Sequence, residues 1–142
     1  MFIDLEFDTA NRGAPLGDIA LSLVAVDDLL RDLATLAAYP ASVEFREIRV
    51  VAIEMRSPLT VTLSLLAIPP EAVKAFQEIC RAVIHIRERR TEGNIAGAVD
   101  RVLHADGKHG HITEKETQRL YGHIVTLQNA AVPLQRVVVK DG

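Results

Sequence analysis

The chain has 142 residues, 49% of them hydrophobic and 25% charged, with a formal net charge of −3. That length and composition describe one domain with enough apolar material for a core, and exclude a disordered chain. Aromatics make up 4% and tryptophan is absent. Together with the acidic balance, this speaks against a dedicated nucleic-acid binder, which needs stacking platforms and a basic footprint.

Along the chain, "MFIDLEFD" alternates, with Met1, Ile3, Leu5 and Phe7 on one side and Asp4, Glu6 and Asp8 on the other. This predicts a half-buried strand. "TANRGAPLG" follows as a breaker-rich turn. Asp18 is then the expected cap of a helix whose Ile19, Leu23, Val26, Leu30, Leu33 and Ala37 recur at spacings of three and four, widened by Leu29 and Leu36. "YPAS" is the expected stop.

"VEFREIRVVAIEM" and "LTVTLSLL" predict a β-hairpin around "RSP". In the first run Val51, Ile53 and Met55 share a phase that Ile48 and Val50 break, which predicts a bulge near Glu47. The second alternates cleanly: Leu59, Val61, Leu63 and Leu65 against Thr60, Thr62 and Ser64.

"IPPEAVKAFQEICRAVIHIRERR" predicts a helix with proline and Glu71 in its first turn and Arg87, Arg89 and Arg90 at its end, the signs that the helix dipole favours. Its buried stripe is Val73, Phe76, Cys80, Val83 and Ile84. Cys80 is the single cysteine, so no internal disulfide is available, and its apolar neighbours predict a buried thiol. "IAGAVDRVLHA" and "TEKETQRLYGHIVTLQNA" predict two more helices, with Thr113 and Glu116 at capping-box spacing. "PLQRVVVKDG" closes the chain as a strand. The order β-α-β-β-α-α-α-β predicts an α+β, two-layer domain: a mostly antiparallel four-stranded sheet with helices packed on one face. Residues 1–142 form one such domain, within which 92–129 can be read as a helix-loop-helix appendage.

The stretch with the densest chemistry is "HADGKHGHITEKE", residues 104–116. His104, Asp106, His109, His111 and Glu116 are the residue types that hold one divalent transition metal, although no established ligand spacing fits them. The stretch also resembles an EF-hand calcium loop in part. Gly110, Ile112 and Glu116 match its sixth, eighth and twelfth positions, but Ala105, Gly107 and His109 stand where calcium needs oxygen ligands. Gly107 and Gly110 as turn formers, with Thr113 as a cap, describe a solvated connection equally well. No phosphate-binding glycine loop and no nucleophile elbow occurs.

Charge is unevenly distributed. Residues 1–42 hold seven acids and two bases, whereas 43–90 hold eight bases and six acids. The expectation is therefore a non-enzymatic interaction or regulatory domain that self-associates or docks on a protein partner. Arg87, Arg89 and Arg90 would form its basic side and Asp27, Asp28 and Asp32 its acidic side, with long β-runs leaving a sheet edge open. The alternative is a metal-responsive protein or small metalloenzyme using the histidine-rich stretch. No run approaches the roughly 18 apolar residues of a membrane helix. The acidic, non-apolar N-terminus shows no signal peptide, so the expected setting is cytoplasmic.

Overall fold

The computed structural model describes residues 1–10, 12–38, 48–55, 58–66, 68–89 and 114–140, with side chains for all of these but 38 and 87–89. The elements in chain order are β1 (Phe2–Phe7), α1 (Leu16–Ala38), β2 (Arg49–Glu54), β3 (Leu59–Ser64), α2 (Pro70–Arg89), α3 (Glu114–Gln128) and β4 (Leu134–Lys140). The strands form one antiparallel sheet in the order β2-β3-β1-β4. This is the expected α+β architecture. The helix expected at 95–105, the "YPAS" stop, the "RSP" turn beyond Pro58 and Thr113 lie outside the described residues.

Alternation in β1 and β3 sets the two faces of the sheet. Ile3, Leu5 and Phe7 of β1 and Leu59, Val61 and Leu63 of β3 are buried on one side, where the helices pack. The other side is polar and cross-linked. The Thr62 hydroxyl donates to Asp4 at 2.6 Å, and Lys140 reaches the same carboxylate. Arg136 lies 3.6 Å from Glu6. Opposite charges directly across antiparallel strands stabilise the sheet locally.

The alanine- and leucine-rich α1 has high helix propensity. It begins at Leu16, three residues earlier than a cap at Asp18 would require. The Pro15 carbonyl accepts from the amides of Asp18 and Ile19, so Asp18 sits inside the first turn, where the dipole favours a carboxylate. Ala25, Val26, Leu29, Leu30, Leu33 and Ala34 are buried, and Ile19, Leu23, Leu36 and Ala37 pack at the rim. Pro70 opens α2 as predicted, with the Pro69 carbonyl accepting from Ala72 and Val73. Val73, Phe76, Ile79, Cys80 and Val83 carry its buried stripe. Leu120, Ile124 and Leu127 do the same for α3. Helix α1 packs on both α2 and α3, and α2 also meets β4.

Among the described residues, the connection from β1 to α1 holds one non-glycine residue at positive φ. Ala10 has φ of 54°, and its amide donates to the Asp8 carboxylate at 2.8 Å. That Asx-type turn holds a non-glycine residue in the left-handed region.

Candidate interaction surface

Structure redistributes the residues expected at an interface. On α1, Asp27 pairs with Arg31 one turn later, Nε standing 3.0 Å from Oδ2. Asp28 and Asp32 turn toward α3. His123 Nε2 lies 3.0 Å from Asp32 Oδ2, and His123 Nδ1 lies 4.0 Å from Asp28 Oδ2, while Arg119 stands 3.6 Å from Asp32. The His123–Asp32 approach is close but not aligned as a hydrogen bond, and Asp32 Oδ2 is buried without a hydrogen-bond partner among the described residues. Of the acidic row that the sequence offers to a partner, Asp27 is thus engaged within α1, while Asp28 and Asp32 face α3. Arg87 and Arg89 lie in the last turn of α2, and Arg90 falls outside the described residues.

His104, Asp106, His109 and His111 also lie outside the described residues. Glu116 is exposed in the first turn of α3 and already has a contact within the chain. Among the described residues, no group of three or more histidine, cysteine or carboxylate side chains is placed to hold a metal ion. His85 is exposed on α2 and His123 faces α1, so these two do not converge. Cys80 is fully buried, and loss of solvent pushes its thiol far above the ordinary range.

The feature that remains is β2. All six of its residues are exposed, whereas its neighbour β3 is buried at every second position. Val50 is 50% exposed, Val51 52%, Ile53 53% and Met55, just past the strand, 76%. β2 is the outermost strand, and its extensive contact among the described elements is with β3 alone. Among the described residues, one row of its backbone donors and acceptors therefore has no strand beside it. The opposite edge, β4, carries Arg136 and Lys140 on its polar face, the charged protection usual for sheet edges. The middle of β2 has no such charge: Val50, Val51, Ala52 and Ile53 run uninterrupted.

Register explains the side-chain directions. Val50 pairs with Leu63 and Ile53 with Val61, whereas Arg49, Ala52 and Glu54 pair with Ser64, Thr62 and Thr60. The register shifts between Val50 and Ala52, so a bulge falls at Val51; Glu47, where the sequence places one, lies outside the described residues. Val50 and Ile53 consequently share the helix-bearing side of the sheet, continuing the apolar row of β3 beyond the helices that cover it. Strict alternation, which groups Val51 with Ile53, misses this pair. The signal that finds it is β3, whose Thr60, Thr62 and Ser64 fix the polar side without ambiguity.

A second apolar patch lies on the helices. Leu21 and Val24 of α1 and Val125 of α3 are about half exposed or more, beside a groove of about 450 Å³ lined also by Asp18, Thr126 and Asn129. Its floor holds the buried Ser22, whose hydroxyl donates to the Val132 carbonyl at 3.0 Å, with the Asp18 carbonyl 3.3 Å away.

No family model, curated protein or solved structure matches this chain. None of the described helices is long and apolar enough to cross a membrane.

Proposed function

We propose that this chain is a non-catalytic assembly domain that docks another polypeptide along the outer edge of β2. The observation that carries the reading is that all six residues of an edge strand with an apolar centre are exposed. An added strand would satisfy the open row of backbone groups by β-augmentation, and would cover Val50 and Ile53 at the same time. The basic end of α2 and the cytoplasmic setting remain part of the proposal. The acidic row of α1 is not needed for it, since Asp27 pairs within α1 and Asp28 and Asp32 face α3.

Site-specific photo-cross-linking in the producing cell tests it. A photoreactive residue at Val51 is expected to give a discrete covalent adduct that disappears when Ile53→Lys is added. The same residue at Gln135 of β4 is expected to give none. Absence of any adduct from position 51, or an adduct indifferent to Ile53→Lys, would contradict the reading.

A further inference from the structure

Resting on that reading, we infer that the docked polypeptide is a second copy of this chain, paired antiparallel and two-fold through β2, with Arg49 of one copy opposite Glu54 of the other. Two independent features of β2 select this arrangement.

The first is the bulge. Residues directly opposite in an antiparallel pair point to the same side of the sheet. In a strand of unbroken alternation, two-fold self-pairing therefore requires the numbers of opposed residues to sum to an even value. The inserted Val51 reverses this for β2. Arg49, Ala52 and Glu54 face the polar side and Val50 and Ile53 the helix side, as their β3 partners show. Sliding one copy past the other leaves one centred register in which opposed residues match in side: Arg49 with Glu54, Val50 with Ile53, and Val51 with Ala52. Moving by one residue either way sets Arg49 against Ile53 or Val50 against Glu54, which lie on opposite sides.

The second feature is charge. The register chosen by side-matching is also the one that brings a guanidinium opposite a carboxylate. The two-fold axis repeats this pair, so the interface holds it twice. Arg49 is engaged within its own chain, and the five donors of a guanidinium allow a further acceptor. Between the charged ends, Val50 and Ile53 of both copies make one apolar strip on the helix side. Alternation beyond the strand extends it, because Ile48 and Met55 are next to be opposed in the same register. Ile48 already packs on the core, and Met55 is the most exposed apolar residue of this edge. The result is a continuous eight-stranded sheet with the helices of both copies on one face.

Charge exchange tests the register. Native mass spectrometry and sedimentation velocity would be applied to wild type, Arg49→Glu, Glu54→Arg, their equimolar mixture and the double variant, with circular dichroism confirming each fold. Wild type is expected as a dimer. Each single variant opposes like charges at both ends and is expected to dimerise about tenfold or more weakly. The mixture is expected to form the heterodimer, and the double variant to regain the homodimer. A misfolded chain could not be rescued by mixing. If the single variants dimerise as wild type does while Ile53→Lys is monomeric, this register is overturned and docking at β2 stands. If wild type is monomeric while position 51 still cross-links to a different protein, the second copy is overturned and the docking edge stands. If position 51 captures nothing, both fall.

Discussion

Asp4 shows how much of the polar sheet face depends on single side chains. Its carboxylate accepts from Lys140 and from the Thr62 hydroxyl, and these contacts hold its pKa below the ordinary 3.8. A carboxyl more acidic in the folded chain than in the unfolded one stabilises the fold above its unfolded pKa. That contribution is lost as pH falls through the folded value. Asp4→Asn is therefore expected to lower stability at pH 7 by about 1 kcal/mol or less, because Lys140 is largely exposed. The gap between wild type and variant should close as pH drops below about 4. Urea titrations at pH 7 and pH 3 check this, and a gap that widens in acid would contradict it. The alternation of "MFIDLEFD" made the side of Asp4 readable in advance. Its partners were not, because Lys140 lies at the other end of the chain and becomes a neighbour only when β4 pairs with β1.

At the scale of elements, long periodic runs were the most legible. The stripe of α1, the stripe of α2 and the β2–β3 hairpin follow from spacing alone. Two details escaped for the same physical reason. The bulge at Val51 is set by what β3 places opposite, and the direction of Asp28 and Asp32 is set by α3; neither partner is local in sequence. Ser22 is a third such case. It is a polar residue on the buried side of α1, and its hydroxyl satisfies the carbonyl of Val132 in the connection between α3 and β4. Ser22→Ala would leave that buried carbonyl unpaired. The expected cost is about 1–3 kcal/mol, read as a lower midpoint in thermal or urea unfolding with no change in assembly. A neutral substitution would show that water or a backbone shift satisfies Val132 instead.

For the whole molecule, the fold class was legible because alternating and helical runs succeed each other in an order with few layered solutions. The interaction surface was legible only as an open edge. Composition and charge blocks pointed to the rows of like charge, Asp27–Asp28–Asp32 and Arg87–Arg89–Arg90. Folding pairs Asp27 with Arg31 within α1, turns Asp28 and Asp32 toward α3, and leaves the uncharged centre of β2 exposed. Strength of charge in the sequence is thus a poor guide to what remains available on the surface, since charges find partners within the chain. Exposed valine and isoleucine on an edge strand are covered when a further strand is added to that edge.

The most direct measurement of this account is the mass of the native particle. Sedimentation equilibrium of wild type and Ile53→Lys, over a hundredfold range of concentration, reads it without labels. Wild type is expected at twice 15.6 kDa and the variant at 15.6 kDa, with the same circular dichroism spectrum for both. A wild type of 15.6 kDa at every concentration, or a variant that dimerises as wild type does, would contradict self-pairing through β2.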